Sequence, residues 1–233
     1  MTNGFHHFFG AGLLFALAPL LLTGAAEAAN WTARGNEPGW QVEMSDTAIS
    51  FSTMEGEAFV IEPVPEPVRA ESIEVYSGAA GDKTVTLVAI DKMCTDTMSG
   101  MPFPKAVVVT SGERALVGCG GDPLSLLAGD WKAEEIDAKP VIAKSETSLA
   151  FDLDGSMHGN ASCNRFFGGF TLTGEGLTLS PGGSTMMACD AGLMEQEQRF
   201  LAALEKIVRF ESPSDGRLQL VDAEGNTVLA LRR

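Results

Sequence analysis

Histidine and positive charge are scarce in this 233-residue sequence. There are three histidines, and two of them, His6 and His7, fall in the first ten residues. After residue 29 only His158 remains. That removes most chemistry in which an imidazole serves as base or acid. Lys and Arg number 16 against 31 Asp and Glu, a formal net charge of −15. A chain this acidic repels nucleic acid and anionic membrane surfaces, so neither is an expected partner. Long apolar runs are also missing. The longest, Gly10–Leu22 (GAGLLFALAPLLL), spans 13 residues and is too short to cross a bilayer as a helix. No cysteine stands directly after it, in TGAAEAAN, which excludes lipid attachment of the bacterial lipoprotein kind at that point.

That short run has another reading. It leads into TGAAEAAN, whose small residues suit a signal-peptidase site after Ala28 or Ala29. Residues 1–29 are therefore expected to be a secretory signal, although MTNGFHHFFG lacks the usual Lys or Arg. The expected destination is the periplasm or cell envelope of a bacterium. About 204 residues would remain, enough for two domains of about 100 residues.

Four cysteines follow the signal: Cys94, Cys119, Cys163 and Cys189. In an oxidising compartment an even count reads as two disulfides, with three pairings open. The segment Gly118–Pro123 (GCGGDP) breaks both helix and strand and makes the best boundary. Two cysteines fall on each side, so the simplest pairing is Cys94–Cys119 and Cys163–Cys189. Each bridge would close a loop of roughly 25 residues and contribute about 3.5 kcal/mol in the chain-entropy account.

Residues 30–121 read as β. GWQVEM, TAISFSTM, KTVTLVAI, KAVVVTS and RALVGC alternate or are β-branched, with turns at Ser45-Asp46 and Ser111–Glu113. EPVPEPV (62–68) is an extended connector. Residues 124–233 add one helix to further strands. SLAFDLDG and SMHGNASC meet at Asp154-Gly155. Asp190 is a candidate N-cap for AGLMEQEQRFLAALEKIVRF, in which Leu193, Phe200, Leu204 and Ile207 or Val208 share a face. RLQLVD and NTVLALR form a last hairpin. The fold class is α+β: a mostly β N-terminal domain, then an antiparallel sheet packed on one main helix.

LAGDW, F-D-x-D-G, GNASCNRFFGGF, STMMACD and MEQEQRFLAAL, in this order, resemble the META/HslJ domain family of bacterial envelope proteins over about residues 124–233. The resemblance implies a small antiparallel sheet wrapped on one helix and an envelope role, in some members linked to heat shock or drug tolerance. It implies no catalytic residue. GNEPGW (35–40) and MCTDTMSGMPFP, followed by LVGCGG, are similar to a family of uncharacterised exported bacterial proteins with a G-x-E-P-x-W opening and a C-x-D-x-M-S stretch. The chain departs from that pattern at Gly39, where an aromatic residue is expected. The same resemblance singles out Glu37, which otherwise reads as a turn residue before Pro38.

Several constellations were weighed for chemistry. A Cys163 nucleophile needs a thiolate and a base. His158 lies five residues upstream, an odd offset that points it to the opposite face of a strand. Asp154, Ser156 and His158 stand too close along one strand to converge as a triad. DLDGS (152–156) starts like a calcium loop but puts Met157 where the turn glycine belongs and Cys163 where the bidentate Glu belongs. Met93, Met98 and Met101 flank Cys94, and Met186 and Met187 precede Cys189. Thioether and thiolate ligands select Cu(I), against the plainer reading that Met fills gaps around the bridges. No catalytic residue, cofactor or metal is expected. The expected role is a non-enzymatic binding or stress-response accessory function, for instance inhibition of a cationic secreted hydrolase such as lysozyme, with Cu(I) binding as the alternative. The partner is an unnamed envelope protein or small ligand. Asn164 and Arg165, beside Cys163, are the candidate surface site.

Overall fold

The computed structural model of the chain describes residue 1, residues 30–213 and residues 215–233. The run read as a signal lies outside the described residues. Strands β1 (Trp31–Asn36), β2 (Gly39–Met44), β3 (Ile49–Thr53), β4 (Ala58–Ile61), β5 (Val68–Ala70), β6 (Ile73–Ala80) and β7 (Lys83–Ile90) come first. A two-residue pair, β8 (Cys94–Thr95) and β9 (Pro102–Phe103), interrupts the series before β10 (Lys105–Ser111) and β11 (Arg114–Gly120). Nine of these form one antiparallel sheet in the order β4-β3-β2-β1-β11-β10-β7-β6-β5.

Alternation explains its inner face. In KTVTLVAI, Val85, Leu87 and Ala89 are buried while the residues between them face outward. Trp40, Val42 and Met44 of β2 and Val107 and Val109 of β10 join them. The sheet curls until β4 meets β6, where the Ile61 side chain lies over Gly78 and any Cβ there would be 2.4 Å from it. Strand β6 carries no reading in the sequence because its alternation is weak: only Tyr76 is fully buried.

Gly118 and Cys119 close the strand read from RALVGC, Gly120 adds one residue to β11, and the chain turns from Gly121. Glycine serves close approach here: a Cβ on Gly118 would lie 2.0 Å from the Arg34 carbonyl oxygen of β1.

The second part opens with a single turn of helix, α1 (Leu124–Leu127), and continues through β12 (Gly129–Ile136), β13 (Lys139–Pro140), β14 (Ser148–Phe151), β15 (Ser156–Asn160), β16 (Arg165–Leu172) and β17 (Leu177–Ser184). Helix α2 (Ala191–Leu204) follows, then β18 (Arg209–Glu211), β19 (Arg217–Val221) and β20 (Thr227–Arg232). These strands make a second antiparallel sheet, β17-β16-β15-β14-β12-β20-β19-β18, with β13 on β12. It also curls: the Leu177 amide of β17 donates to the Val208 carbonyl at 2.7 Å, just before β18. The class is α+β, mainly β.

Helix α2 is shorter than its apolar period suggests. Asp190 holds the N-cap position without a side-chain cap bond. Phe200 and Leu204 are enclosed, but the helix ends there. Ile207 and Phe210 reach the core from the exit loop and β18, and Val208 is exposed. Leu193 is only half-buried, because the inner face at that end belongs to Gln196 and Glu197.

The core beneath the second sheet takes in residues from the first part of the chain. Met101 and Phe103, together with Cys119, pack in one cluster with Leu127, Trp131, Phe200, Phe210, Leu218 and Leu229. Met101 is 0% exposed.

Candidate functional site

Cys94 bonds Cys119 and Cys163 bonds Cys189, and no described cysteine is free. Cys163 is therefore half of a staple that ties the end of β15 to the loop entering α2. Its neighbours form a buried polar hub. The Glu197 carboxylate accepts the Asn164 amide N–H at 2.7 Å, the Asn164 side-chain Nδ2–H at 3.0 Å and the Cys163 N–H at 3.2 Å. Asn164 Oδ1 accepts in turn from the Met187 amide at 2.7 Å and Thr185 Oγ1 at 2.9 Å. Next to Glu197 in the helix, Gln196 has the Ser145, Thr147 and Ser162 hydroxyls within 3.1 Å of its Nε2 and accepts from the Ile142 amide at 2.6 Å.

The pairing of Asn164 with Arg165 as a surface site needs correction. Arg165 is exposed, but Asn164 is 3% exposed. An amide side chain offers both donors and an acceptor, and this one is consumed satisfying the Glu197 carboxylate and two donors of the 185–187 loop. The other weighed groups sort similarly. His158 faces Asp152 (Nε2 to Oδ2, 3.4 Å), while Ser156 Oγ donates to Asp152 and Asp154. A hydroxyl spent on two turn carboxylates closes the β14–β15 turn.

A second constellation joins segments that the sequence keeps far apart. Asp96, in the loop between β8 and β9, is 4% exposed. Its Oδ1 accepts the amides of Ser99 (2.8 Å) and Met98 (2.9 Å) and the Ser99 hydroxyl (3.1 Å). Its Oδ2 accepts Asn36 Nδ2 at 3.3 Å, and Arg34 Nε lies 3.6 Å away. Burial pushes the carboxyl pKa up, but the Ser99 and Met98 amides and the Asn36 and Ser99 side chains outweigh it, so it sits below the ordinary carboxylate value. The GNEPGW and CTDTMS stretches thus meet on one carboxylate.

The same cluster reaches the second sheet. Arg34 donates through Nη2 to the Gly174 carbonyl, pairs through Nη1 with Glu175 at 2.7 Å and stacks over the Phe103 ring. Ser99 Oγ also contacts the Gly174 carbonyl at 3.0 Å. Gly174 and Glu175 form the tip between β16 and β17. Glu37 stays exposed in the turn between β1 and β2. Arg34 had no signal in the sequence: it is one cation in an ordinary strand, and its role comes wholly from tertiary placement.

Two clefts flank this junction. One, of about 650 Å³, is lined by Met93, Thr95, Thr97, Met98, Arg209 and Glu211. The other, of about 320 Å³, is lined by Arg34, Asn36, Trp40, Ser52, Met54 and Met98. Met93, Met98 and Met101 do not converge, because Met101 is enclosed in the core while Met93 and Met98 are exposed. Met186 and Met187 are also exposed, and Cys189 is oxidised. Among the described residues, no three or more His, Cys, Asp or Glu side chains are grouped to hold a metal. No helix among them is long and apolar enough to cross a membrane.

Residues 124–233 match the family model of the META domain. A search of curated proteins gave no match. Two similar solved structures are NMR structures. One is 23% identical, with TM-score 0.39, and covers 48% of this chain and 94% of its own. The other, a protein from Burkholderia xenovorans, is 27% identical, with TM-score 0.37, and covers 47% of this chain and 84% of its own. Residues 124–233, the second sheet with its helix, are a META domain.

Proposed function

We propose that the protein is an exported accessory protein of the bacterial envelope that binds a cationic protein partner and performs no catalysis of its own. The two units expected from the sequence, 30–121 and 124–233, would act as one binding body joined at Asp96 and Arg34. The META domain and the two disulfides fit an envelope protein folded in an oxidising compartment.

The observation that carries the reading is how the surface cations are spent. Lys83 and Arg114 pair with Glu57, Lys105 with Asp91, Arg69 with Glu74, Arg217 with Asp215, and Arg232 with Glu134. These pairs cancel charge locally, and the excess of 31 Asp and Glu over 16 Lys and Arg sets the outward field. Such a field steers basic partners and gives salt-sensitive association. A basic secreted hydrolase such as lysozyme is the concrete target.

The test is retention of envelope proteins, and separately of lysozyme, on the immobilised chain. Basic proteins should bind at low ionic strength and elute as salt rises, and bound lysozyme should lose activity. Retention with no bias toward basic proteins, or none at all, contradicts the proposal. A second reading, Cu(I) binding, draws on one observation: Met98 lines both clefts, with Met93 in one and Met54 in the other.

A further inference from the structure

We infer that the smaller cleft is a site for a soft monovalent cation, Cu(I) or Ag(I), with the thioethers of Met54 and Met98 as ligands. The inference rests on the copper reading and moves its ligands from the Met93, Met98 and Met101 set to a pair that the structure brings to one place.

Both methionines are anchored at the backbone and free at the sulfur. The Met54 amide donates to the Gly39 carbonyl at 3.0 Å, and the Met98 amide donates to Asp96 Oδ1 at 2.9 Å. Their side chains are nevertheless 91% and 79% exposed, and both line the cleft of about 320 Å³. Their exposure leaves both sulfurs open to a ligand from solvent. The cleft is shaped around Met54. A Cβ at Gly39 would lie 2.6 Å from Met54 Sδ, so a side chain there would evict the thioether from its seat.

Trp40 lines the same cleft at 4% exposure, and two glycines leave room for its indole: a Cβ on Gly35 would be 2.2 Å from its Nε1, and one on Gly118 would be 2.7 Å from its Cζ2. Thioethers favour Cu(I) over harder divalent ions. Arg34, a cation lining the same cleft, is answered by Asp96 and Glu175, so its charge opposes a bound cation weakly.

The experiment is anaerobic competition for Cu(I) between the full chain and bicinchoninate, repeated with Ag(I) while following tryptophan fluorescence. The wild type should withdraw one Cu(I) per chain. Met54→Leu and Met98→Leu should each weaken binding at least tenfold with the thermal midpoint unchanged, because leucine keeps the exposed apolar surface and removes only the sulfur. Met93→Leu should bind as wild type. No withdrawal of copper by the wild type, or full binding by Met54→Leu, overturns the site. Weakening by Met93→Leu but not by Met54→Leu also overturns it, while leaving copper binding in the neighbouring cleft.

Discussion

At the scale of single residues, buried polar groups decide more than the cysteine that stands out in the sequence. Asp96 accepts from four donors while nearly enclosed, so its removal leaves the Ser99 and Met98 amides and Asn36 without an anion. Hydrogen bonds to a charged group contribute about 1.5–3 kcal/mol each, and they are not additive. Asp96→Asn should lower stability at pH 7 by about 2 kcal/mol or more, read from urea unfolding. The pH dependence follows from the depressed pKa. The contribution is present above the unfolded value near 4 and is lost as pH falls through the still lower folded value. The gap between wild type and Asp96→Asn should therefore narrow below about pH 4. A gap unchanged from pH 7 to pH 2.5 would show that Asp96 is not held as an anion.

Asn164 and Arg165 provide the matching contrast. Asn164→Ala strips Glu197 of one donor and the Met187 amide of its acceptor, at a cost of about 1–3 kcal/mol. Arg165→Ala alters an exposed side chain and should stay within about 0.5 kcal/mol. Thermal unfolding of the two variants checks the pair. Equal, small losses would mean that the buried hub is solvated and contributes little.

At the scale of elements, most strands were legible and the helix was legible in part. Val85, Leu87 and Ala89 alternate with outward residues, and Asp154-Gly155 marks a tight turn, so β7 and the β14–β15 hairpin follow from local pattern. The end of α2 does not. Leu204, Ile207 and Phe210 continue an apolar spacing, and only tertiary context makes Phe210 a strand residue beside Leu220. Gln196 and Glu197 carry no reading in the sequence, because composition gives no sign that Ser162, Thr147 and Asn164 will be waiting for them. The same limit hid Arg34. Its partners lie more than 60 residues away in Asp96 and 140 away in Gly174, and no local pattern encodes such a pairing. The junction was half-visible: the two motif stretches were singled out, but nothing in their spacing said that they share a carboxylate.

The short β8–β9 pair belongs to this scale as well. Its loop is pinned at one end by the Cys94–Cys119 bridge and inserts Met101 and Phe103 into the core beneath the META sheet. Met101→Ala removes a fully enclosed side chain and should cost about 2–5 kcal/mol. Pattern alone could not assign Met101 there. It sits beside two exposed methionines in sequence, and burial separates it from them.

At the scale of the whole molecule, two curled sheets with separate apolar clusters are joined by Met101, Phe103 and Cys119 entering the second cluster and by one polar clamp, and this shapes any binding role. A partner attracted by the acidic surface meets a single body whose two parts are fixed by Arg34, Asp96 and the Gly174-Glu175 tip. Arg34→Ala should loosen that clamp, and limited proteolysis should then cut near residues 121–124 sooner than in the wild type. An unaltered cleavage pattern would place the coupling elsewhere.

The loop from residue 94 to 103 completes the core of the META domain. Native-state hydrogen exchange on the full chain with Met101→Ala tests this. Protection should be lost in β19 and β20, more than 100 residues beyond the substitution, where Leu218, Leu220, Leu229 and Leu231 share the cluster with Met101. Loss confined to the first sheet, with β19 and β20 protected as in the wild type, would contradict it.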